Sequence, residues 1–399
     1  MSNQRMSVLW LAPFVPYPPV HGGAVRIFNL IRELSRHVDI SFLALSDGQP
    51  DAQSTQVLRA YCQTAEAFPR PEHTVWFPPR LAPPAVYLDD VPALRRAVQS
   101  LQESVHFDIM QVDYPSLTPY LDYRRDSGTI LTELDVTFLT CFRRFRAERV
   151  WSRKLRRFAA FVSFFYYEIR HLPRYDMVIT MSDHDRQVLN RWLPRLPIAV
   201  IPNGVDCNHF ALPEQLPDTQ SPALLFVGNF SHPPNVDAVL YFVQQVWPEL
   251  SAHFPALRFL VVGYPSPEIK AVTSERVVLC GQVPDIRDFY TQSSVFVVPV
   301  RYGSGTRLKV LEAFAACVPM VSTSLGAEGI DAQPERDYLV ADSPQAFVAQ
   351  IARLLQDRAL AESLRRNARR LVERTYDWGI LAGQQMEVYE RIYQRPRSS

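Results

Sequence analysis

Short apolar runs alternate with amphipathic stretches along this chain. Val8-Leu-Trp-Leu-Ala12 and Ile40-Ser-Phe-Leu-Ala44 are apolar on both faces, as buried parallel strands require. Between them Ile27, Leu30, Ile31 and Leu34 recur at helical spacing. Further strands are expected at Ile109 to Val112, Thr129 to Thr132 and Met177 to Thr180, with helices filling Phe138 to His171. A second series is expected to open with Ala199-Val-Ile201. It continues through Leu224 to Val227, a helix from Val236 to Leu250, then Phe259 to Val262, Val277 to Leu279 and Val295 to Val298. Strands alternating with helices predict parallel sheets with helices on both faces. Two such series predict two doubly wound domains, with ligand sites beyond the carboxyl ends of the strands.

A length of 399 residues accommodates two domains. A net charge of +1 argues against a general nucleic-acid binder. The five cysteines are an odd number without a C-x-x-C pair, which argues against a disulfide scaffold or a cysteine zinc site. No signal peptide is evident, and the densest apolar run, Phe158 to Tyr167, is about half of what crosses a bilayer.

Only three of the 42 basic residues are lysine: Lys154, Lys270 and Lys309. Lys309 sits in the most informative segment, where Gly303, Ser304 and Gly305 form a flexible loop after a strand. Thr306 is placed to cap the following helix, and Lys309 and Glu312 lie three apart on one helical face. A strand, a glycine loop and a helix start with an embedded cation suit a diphosphate. A carboxylate one turn deeper suits ribose hydroxyls. A structural Lys–Glu pair is the plainer alternative. Gly22-Gly23 opens the first helix beside His21, without the spacing of a dinucleotide fingerprint.

Residues 143–157 hold eight basic groups against Glu148 alone, a net +7, and an aromatic run follows directly. This suits an anionic membrane surface or a lipid-linked acceptor, with Arg149, Arg153, Lys154, Arg156 and Arg157 as the contacts. A solvated arginine-rich helix face is the alternative. Asp183-His-Asp185 follows Ser182 in the manner of a helix cap, so no metal site is expected there.

In order and spacing these pieces resemble the family 4 glycosyltransferases. The resemblance rests on Gly22-Gly23, Tyr175-Asp-Met-Val-Ile-Thr-Met-Ser182, Ile201-Pro-Asn-Gly-Val-Asp206, Leu225-Phe-Val-Gly-Asn229, Pro234-Asn-Val236, Phe259 to Gly263, Gly281-Gln-Val-Pro-Asp285 and Lys309 to Pro319. The last is similar to the family core E-A-M-A-x-G-x-P. It implies two facing Rossmann-like domains, the GT-B architecture. Residues 1–190 would bind the acceptor, 191–375 the nucleotide sugar, and 376–399 would form a helix returning to the first domain.

The implied activity is retaining transfer of a sugar from a UDP- or GDP-sugar to a glycan, lipid-linked or other cell-envelope acceptor, without a required cofactor or metal. Lys309, Glu312 and Arg307 are the implied catalytic residues, with Glu312 on ribose and the two cations on the diphosphate. Gly22, Gly23, Gly228, Asn229, Val283, Gly303, Ser304, Gly305 and Thr306 would complete the donor site. His21, Glu133 and Asp135 are possible acceptor or sugar contacts. Ser304 stands where the family commonly has a second glutamate, and Leu134 where many relatives have histidine. The implied location is the cytoplasm, at the inner membrane face, with the donor, the acceptor and an anionic membrane as partners and no nucleic acid. Alternatives are an epimerase or phosphorylase on the same fold, or a silent nucleotide-sugar-binding subunit.

Overall fold

The computed structural model describes residues 5–71, 82–148, 150–210, 221–303 and 307–394. The chain forms two compact units, Met1–Pro202 with Leu381–Ser399, and Asn203–Ile380. Each is built on one parallel sheet.

The first sheet holds β1 (Ser7–Ala12), β2 (Asp39–Ser46), β3 (Thr64–Pro69), β4 (Ile109–Asp113), β5 (Gly128–Glu133), β6 (Met177–Thr180) and β7 (Ile198–Val200). Their spatial order is β3-β2-β1-β4-β5-β6-β7, and every pairing is parallel. Val8 through Ala12 are no more than 1% exposed, because helices cover both faces of β1. The chain order reverses between β1 and β4, so the loops leaving these strands diverge and open a crevice. The helix Gly22–Leu34 begins at that switch point.

The second sheet holds β8 (Ala223–Val227), β9 (Arg258–Val262), β10 (Val277–Gly281), β11 (Val295–Val298), β12 (Met320–Ser322) and β13 (Leu339–Val340). The order is β10-β9-β8-β11-β12-β13, again all parallel. Its switch point lies between β8 and β11, and the helix Leu308–Ala315 follows β11.

Three expectations change. The run at 199–201 does not open the second series: Ile198–Val200 pairs with β6 and closes the first sheet. A three-residue run carries no sign of which sheet it joins, and hydrogen bonding decides. The expected boundary between 190 and 191 accordingly falls inside the helix Asp183–Trp192, well before the division at Pro202 and Asn203. The single helix expected from Val236 to Leu250 contains a wide π-helical turn at Phe242–Val246. Pro248 supplies the reason, since it has no N–H to return to the Gln244 carbonyl.

The C-terminal helix Trp378–Tyr393 packs into the first unit. The Gln385 amide donates to Gln111 Oε1 of β4 at 2.6 Å, and the Tyr389 hydroxyl donates to the same oxygen. Gly128 makes room for this helix: a Cβ there would lie 2.2 Å from Ile392. Beneath it, buried Arg26 donates to the Pro202 carbonyl, and the Trp10 indole donates to Asp113 at 2.6 Å.

Candidate functional site

The loops leaving β8, β9 and β10 nest because glycine occupies their crossing points. Gly263 has φ +147°, and a Cβ there would lie 1.8 Å from the Gly228 carbonyl oxygen. No other residue permits that approach. At Gly228 a Cβ would lie 3.0 Å from Asn235 Cγ, so this glycine leaves the space that Asn235 fills.

Asn235 in turn receives Lys309. The Lys309 ammonium donates to Asn235 Oδ1 at 2.9 Å and lies 4.2 Å from the centre of the Phe226 ring. The Asn235 amide donates to the Asn229 carbonyl at 2.8 Å, which fixes the orientation of its oxygen. Desolvation, aided by the nearby Arg307 cation and only partly opposed by Glu312, pushes the Lys309 pKa down to about 7. One turn along, Glu312 accepts a hydrogen bond from the Tyr290 hydroxyl at 3.1 Å. Burial raises the Glu312 pKa above the ordinary carboxylate value, while Tyr290 and Lys309 restrain the rise. Among the described residues, the second sheet's switch point therefore carries a desolvated cation with one side-chain hydrogen-bond acceptor and, beside it, a desolvated carboxylate with one side-chain donor. Both have bonding capacity to spare.

The expected donor residues Lys309, Glu312, Gly228 and Asn229 come together here. Arg307 holds the N-cap position of the lysine helix, and its guanidinium lies 3.5 Å from the position of a Cβ at Gly303, which has φ +129°. The cap expected at Thr306 falls one residue earlier than that position; Ser304, Gly305 and Thr306 lie outside the described residues. Val283 is half-buried against the second unit's core, in the loop after β10. Sequence reading missed Asn235 as the lysine's partner and Tyr290 as the glutamate's. Asn235 sits inside the quoted Pro234-Asn-Val236 piece, whereas Tyr290 carries no local signal.

The remaining candidates belong to the first unit. His21 caps the Gly22–Leu34 helix, its ring Nδ1 accepting from the Ala24 N–H at 3.3 Å, and it meets Phe14 edge-on. Gly23 is hemmed in by the Tyr114 hydroxyl and the Phe14 ring, 2.8 and 2.9 Å from where a Cβ would stand. Asp135 accepts from the Thr140 hydroxyl at 2.7 Å. Glu133 ends β5 and is buried, as is Glu168 on the helix Trp151–His171. Neither carboxyl has a well-formed hydrogen bond, although the Phe138 and Thr137 N–H groups and the Thr137 hydroxyl favour ionisation of Glu168, and the Thr137 N–H favours that of Glu133. Burial and mutual repulsion hold Glu133 well above the usual carboxylate range, and burial raises Glu168 to about 8. Glu168 is the only acidic residue in its helix, a signal that passes unread among the arginines.

Of the basic candidates, Arg149 lies outside the described residues. Lys154 sits 5.4 Å from the centre of the Phe145 ring, and Arg157 pairs with Glu148 at 2.9 Å. Arg153 and Arg156 are exposed. Ser182 caps the helix Asp183–Trp192: its hydroxyl accepts from the Asp185 N–H at 3.1 Å and donates to the Asp185 carboxylate at 2.6 Å. Asp185 is thus engaged in the cap.

Comparison with known proteins finds matches to both units. The family model "Glycosyltransferase Family 4" matches residues 20–209, and that for "Glycosyl transferases group 1" matches residues 221–357. A phosphatidyl-myo-inositol mannosyltransferase of Mycobacterium tuberculosis is 29% identical over 206 residues, 48% of this chain and 53% of that protein. The chain spans about half the length of the curated relatives it matches. Among solved structures, the sucrose-phosphate synthase of Thermosynechococcus elongatus superposes with a TM-score of 0.71 at 17% identity, covering 98% of this chain and 99% of that one. HepE of Anabaena, solved with UDP and glucose, gives a TM-score of 0.66 at 14% identity over 97% of this chain and all of that one. These two show the fold, with its paired Rossmann-like sheets. The first unit is matched by the family 4 model and the second by the group 1 model, and together these hits place the chain among the family 4, group 1 glycosyl transferases.

Proposed function

We propose that this protein is a retaining glycosyltransferase that moves a sugar from a UDP- or GDP-sugar to a glycan, lipid-linked or other cell-envelope acceptor. The observation that carries the reading is the pairing of Lys309 on Asn235 with Glu312 on Tyr290 at the switch point of the second sheet. Glu312 takes the ribose hydroxyls, and Lys309 with Arg307 takes the diphosphate. The second unit is thus the donor domain and the first the acceptor domain. A donor diphosphate brings negative charge to Lys309 and restores its proton. As the sugar–oxygen bond to the diphosphate breaks, charge grows on the departing oxygen. The ammonium neutralises it from a position that needs no rearrangement. The acceptor hydroxyl oxygen forms the new bond on the face the diphosphate leaves, and its proton passes to the departing diphosphate oxygen. These cations carry the charge neutralisation, so the reading requires no metal or other cofactor.

HepE, solved with UDP and glucose, supports a nucleotide-sugar donor, and the mycobacterial mannosyltransferase supports a lipid acceptor. On this reading the protein works in the cytoplasm at the inner membrane face, with the basic stretch at 143–157 toward the anionic lipid. A thermal-shift panel of nucleotides and nucleotide sugars tests the donor assignment, because a true ligand raises Tm by mass action. A UDP- or GDP-sugar is expected to stabilise the protein. A panel in which no nucleotide diphosphate or its sugar shifts Tm contradicts the assignment.

A further inference from the structure

The helix Trp151–His171 has two apolar faces. One carries Phe161, Phe164 and Phe165 onto the first unit's core, and Tyr167 and Glu168 are buried on that side. The other carries Trp151, Leu155, Phe158, Val162 and Tyr166, which are 40–73% exposed. Their spacing of four, three, four and four residues keeps all five within about 80° around the helix axis. A stripe of five large apolar side chains along one exposed helix face is far more than scattered surface hydrophobics provide.

Charge says what covers it. By helical position Arg156 and Arg170 border one side of the stripe and Lys154 the other. The adjoining helix Thr137–Ala147 adds exposed Arg144 and Arg146 and the exposed ring of Phe142. A second copy laid on this face in two-fold fashion would set basic borders against basic borders. An anionic surface with an apolar interior matches both parts of the pattern. Among the described residues no helix is long and apolar enough to cross a membrane, so the match is to a helix lying in the interface.

We propose that the Trp151–Tyr166 stripe inserts into the acyl-chain boundary of an anionic phospholipid bilayer, with the flanking arginines on the headgroups. This rests on the membrane reading above and adds insertion to charge attraction.

The test uses the full chain with vesicles of phosphatidylglycerol and phosphatidylcholine, some bearing brominated acyl chains. Wild type is expected to co-sediment with them, and brominated chains are expected to quench a tryptophan signal that Trp151→Phe removes. The triple variant Leu155→Ser, Phe158→Ser, Val162→Ser is expected to lose at least about tenfold in partitioning while keeping its Tm, because interfacial binding scales with buried apolar area. Retained partitioning in that variant, with unquenched Trp151, overturns insertion but leaves surface attraction standing. Failure of wild type to bind any anionic vesicle overturns both. Lipid-free dimerisation that the triple variant abolishes also overturns the proposal, because a second copy then covers the stripe.

Discussion

Lys309 donates to Asn235 Oδ1 in a place where an ammonium is poorly solvated, so burial holds its pKa at about 7 instead of its ordinary ten or so. At pH 6 the free protein already carries this proton, and at pH 8 it mostly does not. A diphosphate bound as proposed favours the charged form, so donor binding is expected to take up a proton at pH 8 and almost none at pH 6. A nucleotide diphosphate-sugar, whose phosphates do not titrate in this range, is the right probe. Calorimetry in buffers of different ionisation enthalpy is expected to show about one proton taken up at pH 8 in wild type and none in Lys309→Met. Equal uptake in both would remove Lys309 from the diphosphate. Cys317 offers a second test. Its φ is +54°, just past the lysine helix, where the Val318 N–H returns to the Ala313 carbonyl. The family core has glycine at this place. Cys317→Gly is expected to be more stable than Cys317→Ala by about 1 kcal/mol in urea unfolding, the reverse of the order inside a helix. Lys309 and Glu312 are legible in sequence because they share one helix. Their partners are not: Asn235 lies 74 residues from Lys309 and Tyr290 lies 22 from Glu312, and only the folded sheet joins them.

At the scale of elements, the lysine helix is fixed at its far end as well as at the site. Buried Arg369, from the helix Arg358–Thr375, donates to the Ala315, Phe210 and Cys207 carbonyls. In the first unit the helix Trp151–His171 is set against β5 through two carboxyls, Glu168 and Glu133, with Asp135 and Asp185 adding to their repulsion. A carboxyl whose folded pKa is raised stabilises the fold fully below the ordinary carboxylate range, and that contribution is lost as pH rises through the folded value. For Glu168 the window runs from about 4.5 to about 8. Tm is therefore expected to fall between pH 5 and pH 8.5, and less steeply in Glu168→Gln; identical pH slopes would contradict the pair. Most central strands are legible because parallel strands buried on both faces read as apolar runs. Thr64–Pro69, Met320–Ser322 and Leu339–Val340 are not. The first carries Glu66 and ends in proline, and the others are only three and two residues long.

At the scale of the molecule, the two-unit plan is visible in the chain as two strand–helix series, and the place of division is not. Residues 1–200 carry +4 and residues 201–399 carry −3, so the near-zero total conceals a basic first half that holds the +7 segment. The division at Pro202 and Asn203 lies within Ile201-Pro-Asn-Gly-Val-Asp206, a segment whose resemblance to the family marks it without local physics doing so. Binding of a nucleotide diphosphate through Lys309 and Glu312 at the second unit's switch point is what the proposed function stands on. Titration calorimetry of UDP and GDP into wild type and Glu312→Ala tests it most directly. Wild type is expected to bind one of them, and the variant, folded with a wild-type circular dichroism spectrum, to bind it at least about tenfold more weakly, as losing hydrogen bonds to a charged group implies. Unchanged affinity in Glu312→Ala would contradict it.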